Sequence, residues 1–230
     1  MTSTFVSNRQ LTKESLVSSL IASLGVVVVT AAFIVFGALT SPNFAVLTPM
    51  IAIVCSIGVI ALSIYNVFTK NPPGKGLTFT FAVIEGGLIG AFSYIMTAGN
   101  LELVGTAVVA TTVAVIVSHI MYTSGFVKVT SRFRSIVLAA TVAAMLFYLI
   151  SFLLSFAGLS LIPVGGLGIA LSLVMIAIAC ANVIIDSDDA ARAVEQGVPD
   201  DVKWPIVYSA TASIVWIYIE MLRLVRNINN

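Results

Sequence analysis

The amino-acid sequence predicts an all-α transmembrane protein built as a bundle of seven helices. Hydrophobic residues make up 59% of the chain and charged residues only 9%, whereas about a quarter of a soluble domain is charged. The mean hydropathy is +1.11. A spanning helix needs about 20 mostly apolar residues. Seven stretches reach that length, at 16–39, 47–68, 77–98, 103–122, 136–157, 164–185 and 205–225.

The segments between these stretches have the composition of turns. The apolar run at 16–39 is too long for a cleaved signal peptide, so we expect it to remain as the first helix after a cytoplasmic tail, 1–15. A single transmembrane domain, 16–226, and a short tail, 227–230, follow. The breaks contain Ser41-Pro42-Asn43, Asn71-Pro72-Pro73-Gly74, Gly99-Asn100, Gly125 with 128–134, Gly158 to Pro163, and Gly197-Val198-Pro199.

The basic residues predict the orientation, because short cytoplasmic loops are enriched in Lys and Arg. If the protein lies in the cell membrane with its N-terminus in the cytoplasm, the first three outer loops contain no Lys or Arg. Seven crossings would place Arg223 and Arg226 outside, against this rule, so a re-entrant last helix is the alternative. We favour a crossing because 205–225 contains no Gly or Pro after its first residue. The inner basic residues are Arg9, Lys13, Lys70, Lys75, Lys128, Arg132, Arg134, Arg192 and Lys203.

Glu85 lies well inside the third predicted helix. Carboxylates at this depth are costly, so they persist mainly where they face water, a partner or an ion. One interpretation is a neutral acid that hydrogen-bonds to a neighbouring helix. The other is a proton or cation site.

Glu220 lies inside the last predicted helix and has the same two interpretations. Arg223 follows it by three residues, within reach of an ion pair along the helix, and this structural pair is the simpler explanation. Ser209, Ser213 and Trp216 share its helical face. A polar path along that face is the functional alternative.

The end of the sixth predicted helix carries Asp186, Asp188 and Asp189. Close carboxylates repel one another unless water or a cation separates them, and calcium prefers such oxygen ligands. Asp186 and Asp189 are therefore candidate calcium ligands, with a solvated helix end as the alternative. His119, near the inner end of the fourth helix, is either an interfacial hydrogen-bonding residue or a pH-sensing one.

Several classes of function are excluded. The net charge of +1 lacks the basic excess of a nucleic-acid-binding protein. The sequence contains no serine-protease constellation around its single histidine, no zinc motif and no phosphate-binding loop. We therefore expect no enzymatic activity and no cofactor other than a transported calcium ion.

Two features suggest packing or docking surfaces. Gly86 and Gly90 form a small-xxx-small pair, which lets helices approach closely in lipid. The segment 190–202 is an amphipathic linker between the last two predicted helices. Besides the lipid bilayer, these surfaces could bind a protein partner.

Several segments are similar to one membrane-protein family. They are FTFAVIEGGLIGAFSYI (79–95), GFVKVTSRF (125–133), IIDSDDAARAVEQGVPDDVKW (184–204) and IVWIYIEMLRLV (214–225). They resemble the Bax inhibitor-1/YccA-like family of multi-pass membrane proteins, in particular its bacterial members of the actinobacterial type. The resemblance covers nearly the whole chain from about residue 9.

The resemblance implies a seven-helix fold with the C-terminal helix at its centre, and a pH-sensitive calcium leak. In calcium-leak members, an Asp at the inner end of the sixth helix shares a proton with an Asp in the seventh. Asp186 stands at the first position and Ser213 at the second, so half of this pair is missing. Glu85 and Glu220 match acids common in the bacterial branch.

Two functional hypotheses follow. The first is a passive, pH-modulated calcium or cation leak with Asp186, Asp188 and Asp189 at its inner mouth and Glu85 and Glu220 along its path. The second is a non-conducting protein that modulates a membrane-bound protease or a stress or cell-death response. The intramembrane acids and the family resemblance favour the first hypothesis, and the glycine-lined third helix with the linker 190–202 favours the second.

Overall fold

The computed structural model describes residues 10–69 and 72–229, and it confirms the predicted all-α fold. Seven α-helices in the described residues are long and apolar enough to cross a bilayer. They are α1 (Lys13–Thr40), α2 (Pro42–Phe68), α3 (Lys75–Thr97), α4 (Leu101–Thr123), α5 (Ser131–Ser155), α6 (Gly165–Glu195) and α7 (Lys203–Asn229). The start of the N-terminal tail, 1–9, and Lys70 of the orientation argument lie outside the described residues, and a central α7 stays a prediction.

The helix starts follow from local capping chemistry. Thr12 and Thr130 each accept a hydrogen bond from the backbone N–H three residues later, at 3.1 and 3.2 Å. Asn100 accepts from the N–H of Glu102 at 2.9 Å. Such caps satisfy N–H groups that have no partner within the helix. Helices α1, α5 and α4 therefore begin where the sequence supplies a Thr or Asn.

A proline inside α2 does not break the helix. Pro49 has no N–H to donate to the carbonyl of Ala45, which lies one turn earlier. The hydroxyl of Thr48 donates to that carbonyl instead, at 2.8 Å. In a bilayer such substitutes are required, because lipid offers no hydrogen-bond partner. The helix therefore starts at Pro42, earlier than the apolar run at 47–68 indicates.

Helix α6 continues past Ile185, where its apolar run ends, to Glu195. Asp186 consequently lies inside the helix and does not end it, which corrects the expectation from sequence. The continuing residues include good helix formers such as Ala190 and Ala193. The Nε of Arg192 also donates to Asp188 Oδ2 at 2.8 Å, one turn away. Helix-forming residues and this ion pair therefore extend the helix beyond its apolar run.

The chain divides into two compact units, and α6 and α7 contribute to both. The first unit contains 10–99 and 188–215, and the second contains 100–187 and 216–229. Helices α1, α2, α3 and the first half of α7 build the first unit. Helices α4, α5, most of α6 and the second half of α7 build the second.

In the first unit, α1 and the start of α7 run in the same direction. The Nζ of Lys203 donates to the Ser15 hydroxyl at 2.8 Å, and the hydroxyls of Ser23 and Thr211 are 3.0 Å apart. Both residues of the second pair lie eight positions after those of the first. A parallel arrangement of the first and seventh helices is the one that alternating crossings require.

In the second unit, an apolar cluster joins three helices. Ala179 and Val183 of α6 and Ile217 of α7 are buried, and Ala114 of α4 packs against them. The Asn182 amide of α6 donates to a hydroxyl of α5 at 2.8 Å. The second unit therefore has a core of its own, with α6 in contact with each of its other helices.

Candidate functional site

Glu85 is buried in α3, where only 5% of its surface is exposed. Its Oε2 atom has no hydrogen-bond partner among the residues that the structure describes. The ion pairs found in 10–69 and 72–229 do not include it. A buried polar group without a partner costs about 1–3 kcal/mol, and more when it is charged. Glu85 therefore carries a buried carboxylate oxygen that the described residues do not stabilise with a hydrogen bond.

The surroundings of Glu85 come from α2 and α7 as well as α3. The ring of Tyr208 stacks on Phe81, one turn before Glu85, with centroids 4.1 Å apart. The Tyr208 hydroxyl also lies within hydrogen-bonding reach of Ser63 and Asn66 of α2. The Tyr208 hydroxyl and both polar atoms of the Asn66 amide are buried.

The sequence did not single out Asn66 and Tyr208, although both gave a signal. Asn66 is an amide inside a predicted span, and Tyr208 lies near the start of the last one. The association of Tyr208 with Phe81 and Asn66 depends on how α2, α3 and α7 pack. No pattern along one helix could have shown it.

Glu220 and Arg223 form an ion pair in α7. The Nη1 of Arg223 donates to Oε1 and Oε2 of Glu220 at 2.9 and 3.0 Å. Tyr148 of α5 donates its hydroxyl hydrogen to Glu220 Oε1 at 2.6 Å and accepts from Arg223 Nη1 at 2.7 Å. Only 1% of the Glu220 side chain is exposed. The partnered charges give this group a structural role.

The three aspartates of α6 have different environments. Asp186 lies in the second unit and Asp188 in the first, and each is buried, at 8% and 7% exposed. Asp188 accepts the hydrogen bond from Arg192. Asp189 is half-buried in the first unit, and Ser213 is buried there too. Asp186 and Asp188 are thus buried within a folded helix and do not form a solvated helix end.

His119 lies in the last turn but one of α4 and is exposed. Its Nδ1 is 3.2 Å from the hydroxyl of Ser187. That hydroxyl donates its hydrogen to the Val183 carbonyl at 2.9 Å, so it can only accept from the histidine. The contact therefore requires a proton on Nδ1 of His119. It favours the interfacial hydrogen-bonding interpretation.

Gly86 and Gly90 lie against the backbone of α1. A Cβ atom at Gly86 would stand 2.6 Å from the Val27 carbonyl oxygen, and one at Gly90 would stand 2.7 Å from that of Ala31. Any larger residue would force α1 and α3 apart. This contact uses the small-residue face of α3 inside the protein.

A polar network, absent from the sequence analysis, ties the start of α1 to the turn before α7. The Ser15 hydroxyl donates to Asp200 at 2.6 Å, and Lys203 donates to Ser15 and Asp200 at 2.8 and 2.6 Å. The Leu11 N–H donates to the Val198 carbonyl at 2.9 Å. Leu11 also belongs to an apolar cluster with Leu16, Ala190, Ala193, Val194, Val198 and Ile206.

No three acidic, histidine or cysteine side chains converge as metal ligands in the described ranges. Calcium usually takes six to eight oxygen ligands, with carboxylates prominent among them. Asp186 and Asp189 therefore do not belong to a preformed cage of this kind in the described chain.

Comparison with known protein families shows which family the chain matches. The family model described as "Bax inhibitor 1 like" matches residues 2–230. No curated protein matches the chain. The family match covers all seven helices.

Proposed function

Because the chain belongs to the Bax inhibitor 1 like family, we propose that it is a passive, pH-modulated leak for calcium or another cation. It would act in the cell membrane with its N-terminus in the cytoplasm. The proposal assigns it no catalytic role and no cofactor. The ion would be cargo and not a resident metal.

The observation that carries the proposal is the burial of acids inside helices of membrane-spanning length. Burying a carboxylate in such a helix is unfavourable, so function is the default explanation for one that persists. Glu220 has a structural explanation in its ion pair with Arg223. Asp186 and Glu85, at 8% and 5% exposed, are the groups to which we assign pH sensing and the ion path.

The alternative is a non-conducting protein that modulates a membrane-bound protease or a stress response. Both surfaces that suggested it are largely occupied within the chain. Gly86 and Gly90 contact α1, and the apolar side of 190–202 packs against Leu11 and Leu16. The exposed side of the α6 end, including Arg192, would have to bind the partner.

Calcium flux into liposomes tests the proposal. We expect purified protein to conduct at a rate that differs between mildly acidic and mildly alkaline pH. Asp186→Asn should abolish the pH dependence, and Glu85→Gln should change the rate. Asp201→Asn, which removes an exposed carboxylate from the turn before α7, is the matched control and should behave as the wild type.

Two outcomes would contradict the proposal. Unchanged flux in folded Asp186→Asn and Glu85→Gln protein would show that these acids do not control the leak. No flux from folded wild-type protein at either pH would exclude a leak under these conditions and favour the alternative. Crosslinking in native membranes would then identify the partner.

A further inference from the structure

The start of α6 is open and built from glycines. The helix begins at Gly165, whose φ of +67° lies in the left-handed region that glycine adopts readily. A Cβ atom at Gly165 or Gly166 would meet no atom of the described chain within 4 Å. The first N–H groups of a helix have no acceptor within it, and they carry the positive end of the helix dipole. This end of α6 therefore has the electrostatics of an anion site.

A buried amide of α7 lies over this helix start. The Nδ2 of Asn227 would stand 2.6 Å from a Cβ atom at Gly168, and a Cβ atom in a helix points towards the helix N-terminus. Only 9% of Asn227 is exposed, and its Nδ2 has no hydrogen-bond partner in the described chain. The Pro163 carbonyl oxygen lies equally close to the Gly168 position, at 2.6 Å, yet it does not accept from this amide. A buried donor therefore lies beside the first turn of α6 without an acceptor.

The charge beside this amide is positive. Arg226 precedes Asn227 in the last turn of α7 and is half-buried. None of the ion pairs recorded in 10–69 and 72–229 includes Arg226, whereas Arg223 is matched by Glu220. The segments 156–169 and 221–229 contain no acidic residue. Seven crossings place Arg226 against the charge rule for membrane loops, and an anionic ligand would account for a cation at this position.

Exposed apolar side chains adjoin the polar groups. Val164 and Leu167, at the first turn of α6, are 75% and 76% exposed, and Ile228, directly after Asn227, is 63% exposed. Exposed apolar surface of this kind, rimming polar groups, is typical of contact with a membrane or another protein. A ligand with an anionic head and apolar chains matches both the donors and their apolar neighbours. A free phosphate ion would match the donors alone.

We propose that the start of α6 and the end of α7 bind the phosphate group of an anionic membrane phospholipid. The Asn227 amide and the N–H groups of Gly165 and Gly166 donate to the phosphate oxygens. Arg226 balances the negative charge, and the acyl chains lie along the apolar neighbours. These groups act as donors, which an anion satisfies and a metal cation does not. The site lies wholly in the second unit and does not require that the protein conducts calcium.

Lipid binding to the purified protein tests the site. Native mass spectrometry of the protein in detergent, titrated with phosphatidylglycerol, measures the dissociation constant of the bound lipid. Asn227→Leu and Arg226→Gln should each weaken binding about tenfold, because each removes a charge-assisted contact with the phosphate. Two matched controls should bind as the wild type does. Asn229→Leu replaces an exposed amide that donates to the Val225 carbonyl, and Lys128→Gln removes an exposed cation from the loop before α5.

Hydrogen exchange locates the ligand. Adding phosphatidylglycerol should slow backbone exchange at 165–167 in the wild type. It should not do so in Asn227→Asp, because a carboxylate of the same size repels the phosphate. This variant also separates a ligand site from a helix cap. If the amide oxygen of Asn227 instead accepted from the first N–H groups of α6, the carboxylate would interact favourably with the helix dipole and raise the melting temperature.

Three results would overturn the proposal. The first is wild-type affinity for phosphatidylglycerol in both Asn227→Leu and Arg226→Gln, with circular dichroism confirming that the variants are folded. The second is a raised melting temperature with unchanged lipid affinity in Asn227→Asp, which would make Asn227 a cap of α6. The third is equal protection of 165–167 by phosphatidylcholine, or by inorganic phosphate without lipid. None of these readouts depends on calcium flux, so failure of the leak proposal is recognised separately.

Discussion

The hydroxyl of Tyr148 lies 2.6 Å from a carboxylate oxygen of Glu220, although 72 positions separate the two residues in the chain. The same hydroxyl accepts a hydrogen bond from Arg223 at 2.7 Å. The Arg223 guanidinium also lies over the Tyr148 ring, 4.9 Å from its centroid. The tyrosine thus completes an ion pair that α7 forms within itself and connects it to α5.

Removing this hydroxyl should destabilise the protein. We expect Tyr148→Phe to lower the free energy of unfolding by about 1.5–3 kcal/mol, because the lost hydrogen bonds involve charged groups. Equilibrium unfolding in detergent micelles measures the change. Tyr65→Phe alters a tyrosine that is 54% exposed and should change the stability little; equal losses in the two variants would contradict the assigned role.

The ion pair itself should show strong coupling. Glu220→Gln and Arg223→Met should each cost about 3–5 kcal/mol, because each leaves the other charge buried and unpaired. The double variant should cost clearly less than the sum, because it leaves neither charge behind. A double-mutant cycle on unfolding free energies measures this coupling. Strict additivity would show that the two side chains do not act as a pair.

Gly86 should tolerate no side chain. In Gly86→Ala the new methyl group would meet the carbonyl oxygen of Val27 at 2.6 Å, and overpacking of this kind costs about 1–3 kcal/mol. Gly105→Ala is the matched control, because no atom lies within 4 Å of its Cβ position in α4. It should stabilise the helix by about 0.5–1 kcal/mol. Thermal unfolding of the two variants should therefore shift in opposite directions.

Ser15 should control the order of the turn before α7. Ser15→Ala removes the hydroxyl that links Lys203 and Asp200. We expect backbone hydrogen exchange at 196–203 to become about tenfold faster, for a loss of about 1.4 kcal/mol in local stability. Ser18→Ala removes an exposed hydroxyl that donates to the Ser15 carbonyl and should leave this segment unchanged. Equal acceleration in both would contradict the link.

The seven helices could be predicted because each one needs its own apolar run, and such runs are visible along the chain. Their ends were harder to predict. Helix α6 continues to Glu195 through residues that are no longer apolar, where the Arg192–Asp188 pair supports it. Hydrophobicity shows where lipid surrounds a helix, whereas helix propensity and local pairs decide where it stops.

The candidate sites were likewise only partly predictable from the sequence. The Glu220–Arg223 pair was predictable, because three residues along a helix bring side chains together. Tyr148 was not, because it reaches Glu220 from another helix. For Glu85, the sequence indicated a buried acid, but only the packing of α3 against α7 brings Tyr208 onto Phe81, one turn from Glu85.

The bond between Leu11 and Val198 has a consequence for how the protein is made. The hydrogen bond between Ser15 and Asp200 likewise cannot form until Asp200 is added to the growing chain, 185 residues later. At typical synthesis speeds that interval lasts roughly 10–40 s. During this interval the start of the first helix lacks its contacts with the segment before α7. The segment before α7, which is made later, therefore completes the unit that the first helix began.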